Sequence, residues 1–225
     1  MGAPAAPLPV PAWLAQLAER VQTSPPSAFR RFEPPPGGAR RCSAVLILIG
    51  PDSTSALDAS PPDAMSDIVV LTQRAATMRQ HAGQVSFPGG GREPGDLDES
   101  ATALREAAEE IGLDASEVSV LTKLPALHIA VSGYDVTPVL AWWHRPGRIY
   151  SRQPAEVEHV LRVPIANLIN PTARFRARHP SGYTGPAFGV GGITVWGFTA
   201  GVLDRLLDLA GLTKEWDPGQ VREIS

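Results

Sequence analysis

A single cysteine, Cys42, in 225 residues excludes an intrachain disulfide and suits a reducing cytoplasm, so a cytoplasmic protein is expected. Because Cys42 adjoins the apolar run that opens at Ala44, a buried and inert thiol is expected rather than a nucleophile. No apolar run approaches the roughly 20 residues needed to span a bilayer. The first residues also lack the charged start and apolar core of a secretory signal, so no membrane partner is expected. A formal net charge of −3 leaves no broad basic surface for nucleic acid. The one basic run, Arg174 to His179, has too little aromatic interleaving to change that reading.

What remains is a chain of globular composition, 43% apolar and 19% charged, long enough for one large domain with a sizeable core. Residues 1–40 read as a proline-rich arm carrying one short amphipathic helix through Trp13, Leu14, Leu17, Ala18 and Val21. That helix could pack on its own domain or on a second subunit, and the residues leave a homodimer open. Residues 41–225 read as a mixed α/β domain. Strands are expected at 44–49, 67–72, 84–87, 118–124 and 135–143, with a further strand or turn at 156–163 that ends at Pro164. A C-terminal helix through Leu203 to Leu209 is expected to stop at Gly211.

The acids are unevenly placed, seven of the 23 lying between Glu93 and Glu110. In Pro88 to Leu113, Glu106, Glu109 and Glu110 stand at i, i+3 and i+4, which puts all three carboxylates on one side of a helix. Leu104, Ala107, Ala108 and Ile111 are expected to face the core. An acidic helix face is ordinarily just solvated. Here glycines precede the helix, Arg105 stands beside Glu106, Asp96 with Glu99 has the spacing of a capping box, and Gly112 follows as a stop. Carboxylates this close repel one another, and a hard divalent cation such as Mg²⁺ or Mn²⁺ would relieve that repulsion.

This stretch resembles the Nudix box, the signature of hydrolases acting on nucleoside diphosphates linked to another moiety. Arg105, Glu106, Ala107, Glu109, Glu110, Gly112 and Leu113 match its C-terminal half. In the N-terminal half, counting back from Arg105 puts Leu97 at the acidic position, whereas counting forward from Gly90 puts Asp96 there with one extra residue before the helix. The second register is preferred, with Asp96 also capping the helix. Upstream, Leu71 to Gly90 resembles the extended motif of the coenzyme A pyrophosphatase branch, through Leu71, Thr72, Arg74, Ala75, Arg79, Gly83, Phe87, Pro88, Gly89 and Gly90. Further similarity runs through 132–141, 155–165 and 195–203.

The resemblance implies an α/β/α sandwich around a mixed sheet, and a metal-dependent hydrolase that cuts coenzyme A or acyl-CoA into 3′,5′-ADP and a 4′-phosphopantetheine fragment. Other substrates stay open: ADP-ribose, a dinucleotide cofactor or an oxidised nucleotide. A non-catalytic nucleotide-binding module of the same fold is the third reading. Glu106 and Glu110 are the first metal ligands expected, with Glu109 for a second ion and a backbone carbonyl at Gly89 or Gly90. Arg105 is expected to orient a glutamate. Glu156 is the candidate general base outside the box, with a surface acid beside a strand as its plain alternative. Arg74 and Arg79 are expected to clamp substrate phosphate. His81 reads as a loop histidine, at most one of Trp142 and Trp143 can face a pocket, and Trp196 reads as core.

Overall fold

The computed structural model of the chain describes residues 7–32, 41–52, 64–78, 81–130 and 132–224. In chain order it contains helix α1 (Ala12–Thr23), strands β1 (Arg41–Pro51), β2 (Asp67–Arg74), β3 (Val85–Ser86) and β4 (Gly89–Gly91), and helix α2 (Glu99–Ile111). Then follow β5 (Val118–Lys123), β6 (Leu127–Ile129), β7 (Tyr134–Trp143), β8 (Val157–Pro164), the short helix α3 (Ile165–Leu168), β9 (Arg174–Arg178), β10 (Thr184–Val190), β11 (Ile193–Val195), α4 (Gly197–Ala210) and β12 (Val221–Glu223).

The larger sheet is mixed. β1 and β7 run parallel in register from Arg41↔Tyr134 to Ile49↔Trp142, and β1 pairs antiparallel with β2 and β4. Both central strands are apolar on both sides, as strands covered by helices on two faces must be. Alternate residues go to different cores. Ala44, Leu46, Leu48, Val139, Ala141 and Trp143 pack against Ala103, Ala107 and Ile111 of α2. Ile47, Ile49, Leu140 and Trp142 pack on the other side with Leu14, Leu17 and Val21 of α1 and Leu203, Leu206 and Leu207 of α4. The result is the α/β/α arrangement expected, and α1 joins the core of its own chain.

A second sheet, in the order β11-β10-β9-β12, was not foreseen. The basic run at its centre is a strand, with Arg174 buried in an ion pair to Asp204 and its guanidinium over the rings of Phe188 and Trp216. Cys42 corrects another expectation: it is exposed, because it lies in the first, uncovered residues of β1. Trp142 and Trp143 are both fully buried, so neither faces a pocket. Their ring N–H groups donate to the Leu8 carbonyl at 3.1 Å and to Glu117 Oε2 at 3.2 Å. None of the described helices is long and apolar enough to cross a membrane.

The sheet forks where the candidate site lies. β1 pairs with β2 only through Ile49 to Pro51, and at its opposite end Ser43, Ala44 and Val45 pair with Gly91, Gly90 and Gly89. β2 pairs with β8 along its other edge, and beyond Val69 its first edge passes from β1 to β3.

Candidate active site

Helix α2 is fixed at both ends. Asp98, with extended backbone, accepts from the Ala101 N–H at 2.9 Å, and Gly112 ends the helix in the left-handed conformation at φ 69°. Asp98 is therefore the cap, which corrects the expectation for Asp96. Asp96 is held elsewhere. Its carboxylate accepts from the Glu93 N–H at 2.9 Å and the Thr102 hydroxyl at 2.9 Å. It also accepts from Arg105 in bidentate fashion, Nε at 3.0 Å and Nη2 at 3.1 Å. This geometry matches the planar guanidinium fork and is among the stronger hydrogen-bonded pairs available to proteins. The Arg105 guanidinium, aided by the Glu93 N–H, holds the Asp96 carboxyl far below the usual range. Leu97, the alternative occupant of the box's acidic position, is 93% exposed and points away into solvent.

Arg105 distributes its remaining donors across the site. Nη2 donates to the Gly91 carbonyl at 2.9 Å, while Nη1 donates to Glu106 Oε1 at 3.2 Å and to Glu109 at 3.4 Å. The three glycines of β4 thus each meet one box side chain. Gly91 receives Arg105. A side chain at Gly90 would fall 2.5 Å from the Glu106 carboxylate, so glycine there leaves the volume that this carboxylate fills. The Gly89 N–H donates to Glu110 Oε2 at 3.1 Å, and a Cβ at Gly89 would sit 2.3 Å from the Ala44 carbonyl oxygen.

Glu110 is 6% exposed although it is an acid. Burial pushes its carboxyl up to about 7, opposed by the Gly89 N–H and reinforced by the charge of Glu106. Burial likewise raises Glu106, against the pull of Arg105. Two neighbouring carboxyls are thus both uncomfortable when ionised. Glu109 departs from the expected convergence: its side chain is 48% exposed and rests on Arg105. At about 100° per residue, Glu109 lies a quarter-turn or more from Glu110, while Glu106 and Glu110 nearly eclipse. Among the described residues no three His, Cys, Asp or Glu side chains form a ready-made metal cage.

Arg74 and Glu156 reach the same place from other elements. The charges of both are felt at Glu110. A register shift between Gln73 and Arg74 interrupts the β2–β8 ladder, re-aiming the end of β2. Arg74 Nη2 lies 3.0 Å from Met78 Sδ, and its Nε is buried with no hydrogen-bond partner among the described residues. Glu156 is exposed, and its backbone carbonyl accepts from the Ala75 N–H at 2.8 Å. The loop before it is tied to the end of α2 by Tyr150 N–H donating to the Ile111 carbonyl at 3.0 Å and Arg152 N–H to the Glu110 carbonyl at 2.9 Å. Arg79 lies outside the described residues. His81 Nδ1 pairs with Gln84 Oε1 at 2.8 Å in the β2–β3 connection, a local loop contact. Trp196 packs, partly buried, against the small core of Phe175, Ala177 and Ala187, with its ring stacked on His179 at 5.0 Å.

The contribution of Thr102 was missed in the sequence. Its hydroxyl holds Asp96 although the residue is wholly buried, and a buried threonine one turn before Arg105 was the available signal.

Comparison with known proteins identifies the family. The NUDIX domain family model matches residues 56–181. The "Uncharacterized Nudix hydrolase NudL" of Photorhabdus laumondii is 43% identical over 102 residues, covering 45% of this chain and 54% of that protein. The protein of the same name from Shigella flexneri is 36% identical over 149 residues, covering 64% of this chain and 76% of that one. This chain thus spans about half the length of the first of these relatives, at 54%, and more of the second. Among solved structures, a Nudix hydrolase from M. smegmatis, RenU, superposes with a TM-score of 0.51 at 18% identity, over 83% of this chain and 98% of that one, a likeness of fold.

Proposed function

We propose, from the premise that this chain belongs to the Nudix family of hydrolases, that it cleaves the diphosphate bond of coenzyme A or acyl-CoA with the help of Mg²⁺ or Mn²⁺. The products are 3′,5′-ADP and (acyl-)4′-phosphopantetheine. The observation that carries the hydrolytic chemistry is the packing of Glu106 and Glu110 against the glycines of β4.

The donor set fits a hard divalent cation. It is all oxygen, and both carboxyls are raised by burial, so each gains from a positive charge nearby. Glu106 and Glu110 would hold the ion, with the Gly90 carbonyl and Glu109 completing its surroundings or serving a second ion. When bound, such an ion neutralises diphosphate charge and acts as a Lewis acid. Arg105, itself anchored by Asp96, keeps Glu106 turned toward β4. Glu156 accepts the proton of the attacking water at its carboxylate. Water adds to one phosphorus, the bridging P–O bond breaks, and the other phosphate departs with the bond's electrons. Arg74, whose charge is felt at Glu110 and whose Nε has no partner among the described residues, supplies a charge-assisted donor to substrate phosphate, and Arg79 is assigned the same task by its place in the motif.

Support for coenzyme A is the run Leu71 to Gly90, whose described residues form β2, β3 and β4, the elements that bring Arg74 and the glycines to the box. The test is hydrolysis of a panel of coenzyme A, acyl-CoA, ADP-ribose, NADH and nucleoside triphosphates with Mg²⁺ or Mn²⁺, with products identified by mass. Coenzyme A or its ester is expected to give the highest kcat/KM. Faster cleavage of ADP-ribose or NADH would overturn the substrate, and binding without hydrolysis of any would leave a nucleotide-binding module.

A further inference from the structure

A row of three paired residues crosses the large sheet beside the candidate site. Thr72 of β2 stands opposite Val160 of β8 on one edge and opposite Ser86 of β3 on the other. Residues directly opposite one another share a face of the sheet. Val160 packs on the core beneath α2, and Ile68 and Val70 of β2 belong to that core. Alternation along β2 therefore puts Thr72, and with it Ser86, on the α2 face.

That face holds the diphosphate site. Along β2, Thr72 lies between Val70, which shares a core with Ala107 and Ile111 of α2, and Arg74, whose charge is felt at Glu110. Ser86 lies on the edge of β2 that turns toward β1, where β4 follows and the Gly89 N–H meets Glu110 Oε2 at 3.1 Å. Ser86 thus stands on the same side of the sheet as the buried acid, between the strand that carries Arg74 and the glycines of β4.

The hydroxyl of Thr72 is costly where it is. The residue is 1% exposed, the positions before it on this face are Ile68 and Val70, and a buried hydroxyl loses free energy unless it is bonded. It lies 3.1 Å from Ser86 Oγ and 3.3 Å from the Ser86 carbonyl oxygen. Ser86 is only partly buried, and its hydroxyl has no other partner among the described residues. Two hydrogen placements satisfy Thr72. In one, Thr72 donates to the Ser86 carbonyl and the Ser86 hydroxyl donates back to Thr72. In the other, Thr72 donates to Ser86 Oγ and leaves the Ser86 hydrogen for a ligand. An anion beside Ser86 selects the second, and each hydroxyl then polarises the next.

We infer that Ser86 is a substrate-binding residue whose hydroxyl donates to a phosphate oxygen of the diphosphate, and that Thr72 is the positioning residue that frees its hydrogen. The inference rests on the diphosphate-hydrolase reading but not on the choice of coenzyme A. Kinetics are therefore measured on whichever member of the substrate panel the wild-type protein cleaves fastest. The variants are Ser86→Ala, Thr72→Val, Thr72→Ser and the double variant Ser86→Ala with Thr72→Val. Binding is read separately by calorimetry with ADP and Mg²⁺, since ADP carries a diphosphate with no second ester to cut. Circular dichroism establishes that each variant is folded, and Thr72→Ala serves if Thr72→Val is not.

Ser86→Ala is expected to lower kcat/KM and ADP affinity about tenfold each, as loss of a hydrogen bond to a charged group does. Thr72→Val should lower both by a smaller factor, and Thr72→Ser should restore them. The double variant should be no worse than Ser86→Ala alone, because Thr72 acts only through Ser86. A residue that merely supported the strand would lower the melting temperature and move neither readout. Unchanged ADP affinity or unchanged kcat/KM in folded Ser86→Ala overturns the contact. Losses that multiply in the double variant overturn the role of Thr72 and leave that of Ser86 standing. If the wild-type protein cleaves no member of the panel, the hydrolytic reading falls and the ADP titrations decide alone. Weaker binding by Ser86→Ala then upholds the contact, and unchanged binding, or none by the wild-type protein, overturns it.

Discussion

The Glu106 carboxylate occupies the volume that a side chain at Gly90 would fill, its carbon lying 2.5 Å from where that Cβ would be. Two residues sixteen positions apart are therefore specified jointly. Gly90→Ala should force the flexible end of Glu106 to swing away, lowering kcat by at least about 100-fold while the melting temperature changes little. The neighbouring Gly89→Ala should do the reverse in kind. Its Cβ meets backbone, Ala44 O at 2.3 Å and Val45 Cα at 2.6 Å, which cannot swing aside. A loss of about 1–3 kcal/mol or more in denaturant titrations is expected. Equal stability of the two variants would contradict the geometry.

Glu110 links ionisation to stability in the metal-free protein. Its folded-state pKa of about 7 lies above the ordinary 4.5, so folding favours the protonated form. The stability from this group is fully present below about pH 4.5 and is lost as pH rises through 7, by on the order of 3 kcal/mol. Glu110→Gln should flatten that decline, and Mg²⁺ should offset it at neutral pH in the wild-type protein. Chemical denaturation from pH 4.5 to 8.5 with chelator present measures both. An unchanged pH dependence in Glu110→Gln would place the linkage elsewhere.

Asp96 and Asp98 separate catalysis from capping. Asp98→Ala should cost about 1 kcal/mol of stability and leave kcat nearly intact, because the residue accepts only at the helix start and from Lys123. Asp96→Asn should lower kcat about 10- to 100-fold, since Arg105 loses its bidentate anchor and Glu106 its orientation. Reversed outcomes would restore Asp96 as the cap.

For Arg74, the comparison is coenzyme A against dephospho-coenzyme A. A charge-assisted contact to the 3′-phosphate contributes roughly 1.5–3 kcal/mol, so Arg74→Ala should remove a preference of about tenfold or more, mainly through KM. Equal kcat/KM for both substrates in the wild-type protein would exclude this role for the 3′-phosphate.

Much of the scaffold was readable because its signals are local. Ala44 to Ile49 is apolar without interruption and is buried except at Val45, and Gly112 and Gly211 end their helices with φ of 69° and 71°. Asp96 was misread because two acids near one helix start compete for the cap, and the decision comes from Arg105, nine residues on. Cys42 was misread because being next to an apolar run does not say how far the covering helix extends. The second sheet was hidden by its charge. Arg174-Phe175-Arg176-Ala177-Arg178 alternates with the period of a strand, yet burial of Arg174 depends on Asp204, thirty residues later.

The packing of α1 on α4 has a kinetic side. Arg20 donates to the Leu209 carbonyl at 2.6 Å across 189 residues of sequence, and Leu14, Leu17 and Val21 share a core with Leu203, Leu206 and Leu207. At synthesis rates of about 5–20 residues per second, roughly 10 to 40 s separate the emergence of these partners. Throughout that interval the first helix has only the earlier strands to pack on, and the part of its apolar stripe that α4 covers stays open. It is therefore the surface on which a holding chaperone would first gain purchase, and the step that releases it is the arrival of the last helix.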